Sequence, residues 1–224
     1  MAFLNITDQT HLTLSGLRVV IHCFDMRTPP QKQPIPVADY LSGELISRQK
    51  HEFVDGTVYA MSGASARHNR IATNVTGALY SQLRGKPCEV FNSDMKIRVR
   101  QSRSVRFYYP DLSVVCQPNP DTDLFQDQPV IVVEVLSDST RRVDEFEKRE
   151  AYLTINSLTC YLLLEQDNPC GVLYRRGENG FEREDYLGID TVIALPEIQC
   201  ELPFAEAYAN VTFPIPEVSD EETQ

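Results

Sequence analysis

A single glutamate inside an almost continuous apolar run constrains this chain more than any other feature of its sequence. Residues 130–136 read VIVVEVL, and Glu134 is the only polar residue among them. An apolar run of this kind predicts a central strand that is covered on both faces of a sheet. A carboxylate buried there is costly unless it is paired or metal-bound. Glu134 therefore indicates either a structural ion pair or a metal or catalytic site, and the strand pattern alone leaves both open.

A second acid stands in a similar setting. Asp111 follows Pro110 in YYPDLSVV, which is also an apolar strand candidate. Proline fixes φ and removes a backbone donor, so this stretch is predicted to be an edge, a bulge or a strand start, and bulges often re-aim side chains at active sites. Asp111 and Glu134 could converge on one point. Paired carboxylates suit Mg²⁺ or Mn²⁺, which prefer oxygen ligands.

A third group of polar residues lies in the helix predicted for RRVDEFEKREAYLTI. Asp144, Lys148 and Tyr152 recur at every fourth position, which places them on one helix face. Taken alone, the pattern is better explained by a surface Asp–Lys pair of small energetic value.

Two further candidates carry weaker signals. His68 shares a helical stripe with Ile71 and Val75, so its side chain is predicted to face inward, where a hydrogen-bonded core histidine is the usual explanation. Glu52 opens a predicted hairpin strand, and an exposed position explains it equally well.

The remaining patterns give the order of elements. A short helix from Val37, a hairpin around Asp55-Gly56, a helix from Ala66 to a Gly85 cap, three strands, a second long helix, a strand and antiparallel hairpins follow in turn. The stretch 105–116 is taken as one strand. This order predicts a mixed α/β or α+β sheet with helices packed against it.

Composition narrows the class of protein. The 224 residues carry a formal net charge of -11, which argues against a sequence-indifferent, high-affinity coat for nucleic acid. No run approaches the roughly 18 apolar residues of a membrane helix, and the first residues lack the pattern of a secretory signal. A cytoplasmic protein is therefore expected. The six cysteines form no C-x-x-C pair, so reduced and mostly buried thiols are predicted.

Taken in order, EFVDG, ARHN, YPDLSVV, VVEVLSDST and DEFEK with Tyr152 resemble the Uma-type family of restriction-endonuclease-like proteins in the PD-(D/E)XK nuclease superfamily. The resemblance implies a central mixed sheet flanked by helices, with added hairpins. It also implies a metal ion on Asp111 and Glu134, with the Val135 carbonyl as a further ligand. By the same carry-over, Glu52 completes the acidic shell and His68 lies at the edge of the cleft as a catalytic candidate.

One departure from the superfamily pattern concerns the catalytic cation. A standard (D/E)-x-K motif would place lysine two residues after Glu134, where this chain has Leu136. The resemblance moves that charge to Lys148, which could reach the cleft from another element. The expected function is Mg²⁺- or Mn²⁺-dependent hydrolysis of DNA phosphodiester bonds. Leu136 favours one alternative, a catalytically inactive module that binds DNA or protein, and a cysteine–histidine hydrolase is a second.

DNA contacts and domain bounds complete the expectations. Lys96, Arg98 and Arg100 alternate with apolar residues, which predicts one positively charged strand face for DNA, although a merely solvated face has the same pattern. Residues 1–36 are predicted as an N-terminal extension with a proline-rich connector, 37–210 as the nuclease-like domain, and 211–224 as an acidic disordered tail. A homodimer is expected by analogy with nucleases that cut both strands.

Overall fold

The computed structural model describes residues 33–102 and 104–214. Its α-helices are α1 (Val37–Glu44), α2 (Ala66–Leu83), α3 (Arg149–Tyr152) and α4 (Phe204–Ala207), with a π-helical segment (Val143–Lys148) directly before α3 and a 3₁₀ turn (Pro196–Ile198). Within the described ranges, none of the helices has the length and apolar character needed to span a membrane.

The described residues also contain thirteen strands. The first seven are β1 (His51–Val54), β2 (Thr57–Ala60), β3 (Glu89–Asn92), β4 (Lys96–Gln101), β5 (Ser104–Tyr108), β6 (Leu112–Val115) and β7 (Phe125–Gln126). The others are β8 (Pro129–Leu136), β9 (Cys160–Glu165), β10 (Cys170–Gly177), β11 (Gly180–Leu187), β12 (Val192–Leu195) and β13 (Cys200–Pro203).

The strands form two large sheets and one small one. The first has the order β2-β1-β5-β4-β7, the second has the order β11-β10-β9-β8-β6-β3, and β12 pairs with β13. In the second sheet β8 runs parallel to β9 and antiparallel to β6. Parallel and antiparallel pairs within one sheet, with helices against it, confirm the predicted mixed α+β class.

The central strand β8 is covered on both faces, as its sequence predicts. Ile131, Val133 and Val135 pack into the cluster that contains α2, α4 and β13. Val132 and Leu136 pack on the opposite side, against α3. Because side chains alternate across a strand, Glu134 lies on the same face as Val132 and Leu136. The buried carboxylate is thereby directed away from α2 and towards the segment that carries Lys148.

The prediction of one strand over residues 105–116 is wrong. The chain forms β5 in the first sheet, leaves it after Tyr108, and enters the second sheet as β6 at Leu112. Pro110 lies in the break, where its lack of an N–H group leaves no sheet hydrogen bond to be lost. Asp111 therefore stands at the junction of the two sheets, at a strand start, which is one of the positions that its proline predicts.

The Asp-Gly turn signal gave the hairpin beside the site correctly, and α2 begins with a side-chain cap that was not predicted from the sequence. Asp55 and Gly56, which connect β1 and β2, both have positive φ, at 50° and 92°. An Asp-Gly pair adopts this left-handed turn readily, and the turn matches the twist of a hairpin. At the start of α2 the side chain of Ser65 accepts a hydrogen bond of 3.1 Å from the backbone N–H of His68, as a helix N-cap does.

The cysteines require a correction. Cys88 and Cys116 form a disulfide, whereas the sequence predicted reduced thiols. Cys88 precedes β3 and Cys116 follows β6, and the pairing of Glu89 with Val115 brings the two cysteines opposite each other. Strand register is a tertiary property that their spacing in the sequence does not show. Among the described residues, Cys160, Cys170 and Cys200 are free thiols; Cys23 lies outside those residues.

Candidate active site

Asp111 and Glu134 meet where β6 begins beside β8. Leu112 pairs with Val133 in antiparallel register, which places Asp111 opposite Glu134. The backbone N–H of Asp111 donates to Oε2 of Glu134 at 3.2 Å. In return, the backbone N–H of Val135 donates to Oδ2 of Asp111 at 2.7 Å. The two predicted acids therefore lie together on one side of the sheet, each held by the other strand.

Lys148 brings the predicted cation to the same point. Its Nζ lies 3.1 Å from Oε1 of Glu134, 3.1 Å from Oε1 of Glu52 and 3.1 Å from Oδ1 of Asp144. The ammonium donates a hydrogen bond to Glu134, whereas Oδ1 of Asp144 is buried and has no hydrogen-bond partner of suitable angle. Lys148 is only 6% exposed, so it is a buried ion-pair partner and not the surface lysine that its pattern alone suggested.

A core leucine occupies the position where a standard (D/E)-x-K motif has its lysine. Leu136 is 2% exposed and packs in the same apolar cluster as Tyr152 and Leu158. Its side chain shares a face of β8 with Glu134. The cation next to Glu134 is therefore supplied from the π-helical segment, and Leu136 contributes apolar packing. The arrangement matches the expectation that Lys148, and not the residue at position 136, brings the positive charge to Glu134.

The local charge balance is negative. Three carboxylates, those of Glu52, Glu134 and Asp144, surround the Lys148 ammonium, and Asp111 lies beside Glu134. Burial raises the pKa of Glu134, and its acidic neighbours raise it further against the opposing effect of Lys148. Burial by itself lowers the pKa of Lys148, but the carboxylates around it hold that pKa well above its ordinary value. Lys148 is accordingly charged, and a cation bound beside Glu134 would favour the ionised form of that carboxyl.

Glu52 joins the first sheet to this cluster. It lies in β1, and its Oε1 accepts a hydrogen bond of 3.3 Å from the backbone N–H of Tyr109, in the break between β5 and β6. The same oxygen contacts Lys148. Glu52 is therefore a partly buried member of the site, as the resemblance implies, and its observed partners are an amide and an ammonium.

His68 faces the site from the first turn of α2. Its Nε2 lies 3.2 Å from Oδ2 of Asp111, and its side chain is 10% exposed. Burial lowers the pKa of His68, but hydrogen bonding and charge from Asp111, with the Val135 carbonyl, bring that pKa above its ordinary value. The histidine is inward-facing as predicted, and its partner is the candidate metal-binding aspartate.

Two adjoining cavities open beside these residues. The first, called here the polar cavity, has a volume of about 640 Å³ and reaches Asp111, Glu134 and His68. Its wall is rich in hydroxyl and amide groups, from Ser65, Asn69, Ser93, Ser137 and Thr140. The second, called the apolar cavity, has a volume of about 300 Å³ and includes Val54, Tyr59 and Val143. Lys148 and Asp144 line both.

The predicted positive strand face is only partly present. Lys96 is 5% exposed, and its Nζ donates to the hydroxyl of Tyr109 at 3.0 Å, so the expectation of a solvent-facing Lys96 is wrong. The Tyr109 hydroxyl in turn donates to Glu44 at the end of α1, so Lys96 belongs to a buried hydrogen-bonded network. Arg98 forms a two-point ion pair with Asp127, at 2.5 and 2.7 Å. Arg100, with its side chain 63% exposed, keeps the accessibility that a DNA contact requires.

Two parts of the site were missed by sequence reasoning. Asp144 was placed on the face of Lys148 but not among the site residues, although an i, i+4 Asp–Lys pair beside a buried acid was the available signal. Tyr109 is held by Glu44 at 2.7 Å and by Lys96 at 3.0 Å. No local pattern indicates this second network, because its members come from α1, β4 and the break after β5.

The described residues, 33–102 and 104–214, contain no set of three or more His, Cys, Asp or Glu side chains arranged to hold a metal ion alone. The two-carboxylate pair is nevertheless suited to Mg²⁺. That ion commonly binds through one or two carboxylates, keeps several waters and takes further oxygens from substrate phosphates. Asp111 and Glu134 supply the carboxylates, and a cation between them would offset the repulsion among the neighbouring acids. The donor chemistry therefore fits, with the remaining ligands left to water and substrate.

Comparison with known proteins places the chain in a family. The model of the Uma2 family, described as "Putative restriction endonuclease", matches residues 37–205. Uncharacterized protein slr1290 of Synechocystis sp. (strain ATCC 27184 / PCC 6803 / Kazusa) is 36% identical over 143 residues, covering 63% of this chain and 74% of the relative. Uncharacterized protein sll1609 of the same strain is 35% identical over 135 residues, covering 59% and 75%.

The fold has a counterpart of known structure. The crystal structure of a "putative nuclease belonging to DUF820" from Anabaena variabilis ATCC 29413 aligns with a TM-score of 0.59 at 14% identity, over 72% of this chain and 91% of the other. Identity at this level establishes the shared fold alone. The family model, in contrast, spans most of the chain, including Glu52, Asp111, Glu134 and Lys148. The chain belongs to the Uma2 family of restriction-endonuclease-like proteins.

Proposed function

We propose that the protein is a metal-dependent endonuclease that hydrolyses DNA phosphodiester bonds. One observation carries this proposal: Asp111 and Glu134, from adjacent strands, are joined by two hydrogen bonds, and Lys148 lies 3.1 Å from Glu134. Two acids and a lysine around one point are the groups that phosphodiester hydrolysis by this superfamily needs. Membership of the Uma2 family supports the same reaction class.

Asp111 and Glu134 would hold Mg²⁺ or Mn²⁺, with the Val135 carbonyl as a further oxygen and Glu52 as the predicted outer member of the acidic shell. When bound, the ion supplies a more acidic water and offsets charge on the phosphate. The backbone N–H of Val135 fixes one oxygen of Asp111. This hydrogen bond restricts the orientation of the Asp111 carboxylate, which favours a defined ligand geometry.

Lys148 and His68 have separate roles in the proposal. The Lys148 ammonium is a compact charge that neutralises the buried carboxylates and can orient a water or balance charge on the phosphate from the polar cavity. His68 positions Asp111 through its 3.2 Å contact with Oδ2. Its ring also borders the polar cavity, where it can exchange a proton with substrate or solvent.

The proposal is tested with supercoiled plasmid, Mg²⁺ or Mn²⁺, and purified protein. The wild type is expected to produce nicked or linear DNA, and EDTA is expected to stop the reaction. Asp111→Ala, Glu134→Ala and Lys148→Ala should each abolish cleavage. Asp185→Ala is the matched control, because that carboxylate lies on β11 with a side chain 66% exposed and its partner is Arg183.

Metal binding has its own readout in titration calorimetry with Mn²⁺. The wild type should release or absorb heat on binding, and Asp111→Ala and Glu134→Ala should not. Cleavage that persists in both variants would contradict the proposal. DNA binding without cleavage under every metal condition would instead support the inactive module that Leu136 suggested.

A further inference from the structure

We propose that the apolar cavity receives one unpaired base of single-stranded DNA, while the phosphate beside that base occupies the polar cavity. This inference rests on the proposed nuclease function and names the form of its substrate. Its starting point is the connection between the cavities, which share Met61, Ser62, Ser139, Thr140, Asp144 and Lys148. A ligand that reaches from one to the other passes Lys148.

Tyr59 stands beside the catalytic candidates because of strand register. In the antiparallel pair β1–β2, Tyr59 lies directly opposite Glu52. Directly opposed residues of a hairpin project from the same face, with Cβ atoms roughly 5 Å apart. Glu52 in turn contacts Lys148 at 3.1 Å. Tyr59, Glu52 and Lys148 accordingly line the same cavity.

The chemistry of the apolar cavity matches a base. Tyr59 is 54% exposed and Val143 is 38% exposed, and both line this cavity together with Val54 and Met61. Tyr59 lies on β2, at the edge of its sheet. Much of its ring is therefore left free to contact a ligand. Every base has an apolar face that can stack on such a ring.

The charges around the site favour a single strand over a duplex. Lys50, which lines the polar cavity, already pairs with Asp94. Arg67 and Arg141, which adjoin lining residues in sequence, pair with Asp167 and Glu165. Tight binding of duplex DNA depends on several cations that neutralise phosphates, and the net charge of -11 opposes it. Stacking supplies affinity without phosphate neutralisation. It requires an accessible base, which a duplex keeps inside its own stack.

The test compares binding of a fluorescein-labelled oligothymidylate with that of a blunt duplex of equal length, by anisotropy, with Ca²⁺ present. We expect the wild type to bind the single strand at least about tenfold more tightly. Tyr59→Ala should weaken that binding by about tenfold, and Tyr59→Phe should retain it. Tyr80→Ala is the control, because Tyr80 is 60% exposed on α2 and does not line either cavity.

The inference is overturned if the duplex binds as well as the single strand, or if Tyr59→Ala and Tyr80→Ala behave alike. Cleavage of the labelled single strand, alongside cleavage of the plasmid, separates this failure from failure of the nuclease proposal. If cleavage requires Asp111 but is unchanged by Tyr59→Ala, the nuclease proposal holds and the base site is refuted. If the single strand binds in a Tyr59-dependent way but no DNA is cut, the base site holds and the nuclease proposal is refuted.

Discussion

Val135 donates its backbone N–H to Oδ2 of Asp111 at 2.7 Å, so an aspartate at the start of one strand is aligned by the main chain of its neighbour. The amide of Asp111 returns a hydrogen bond to Glu134, the residue before Val135. Within residues 33–102 and 104–214 the side-chain partners of the two acids are His68 and Lys148 rather than arginines, and sheet pairing orients both acids.

We expect Asp111→Asn to separate stability from activity. The amide oxygen can still accept from Val135, and one negative charge leaves a cluster with four carboxylates and one ammonium. The free energy of unfolding without metal should therefore stay the same or rise, while cleavage should fall by at least about 100-fold. Urea unfolding in EDTA and a nicking assay measure the two effects. A loss of stability equal to that of a core mutation would contradict this account of Asp111.

Lys148→Met should destabilise the fold. Removing the ammonium leaves Glu134, Glu52 and Asp144 without their shared partner in a buried site. Loss of one partner from a buried ion cluster costs about 3 to 5 kcal/mol of unfolding free energy. Urea denaturation at neutral pH gives the value. Adding Glu134→Gln to the same chain should restore part of the loss, because it removes one unpaired charge.

Lys86→Met provides the comparison for Lys148. Lys86 donates to the carbonyl of Gln199 at an exposed position, and its replacement should change stability by less than about 1 kcal/mol. Equal effects of the two substitutions would mean that the buried cluster is not held together by its ammonium.

Glu44 should make stability sensitive to acid. Burial raises the pKa of its carboxyl, but hydrogen bonds from Tyr109 and His51 outweigh that effect and leave the pKa below its ordinary value. A carboxyl with a lowered folded-state pKa stabilises fully above its ordinary pKa of about 4.3. This stabilisation is lost as the pH falls through the lower folded value. Glu44→Gln should therefore have a lower unfolding free energy than the wild type at pH 7. The deficit should shrink on acidification, because the wild type then loses the same stabilisation.

Urea denaturation at several pH values checks this, with Glu178→Gln as the control at an exposed turn between β10 and β11. A Glu44 difference that is constant with pH would show that the network of Tyr109 and His51 does not depend on the ionised carboxylate.

The Cys88–Cys116 bridge should contribute to stability. The two cysteines are 28 residues apart in sequence, and closing a loop of that length stabilises by about 3.6 kcal/mol in the chain-entropy description. Reducing agent should lower the melting temperature of the wild type and leave that of a Cys88→Ser, Cys116→Ser double variant unchanged. Peptide mapping under non-reducing conditions should recover the two cysteines in one linked peptide. Two separate alkylated peptides would contradict the pairing.

Those parts of the fold whose signals are local were predictable. The apolar run with Glu134 gave a doubly covered central strand, and Asp55-Gly56 gave a hairpin with the expected left-handed turn. Asp111 was indicated by a proline at the start of an apolar segment. In each case, the same few consecutive residues determine the local structure and show the pattern that predicts it.

Other parts depend on contacts between distant segments and could not be read in the same way. Residues 105–116 are apolar on both sides of Pro110, so nothing local shows that β5 and β6 enter different sheets. The contact of Lys96 with Tyr109 needs β4 and the break after β5 to be brought together. The long helix predicted around Lys148 begins instead with a π-helical segment.

That π-helical segment limits how the protein can vary in length. Successive residues of any helix point in different directions, so inserting or deleting one residue between Val143 and Lys148 would turn the lysine away from the carboxylates. The turn between β10 and β11 is under no such constraint, because it lies at the exposed end of a hairpin. Natural length differences among relatives should therefore accumulate in that turn, and the stretch from Val143 to Lys148 should keep a fixed number of residues.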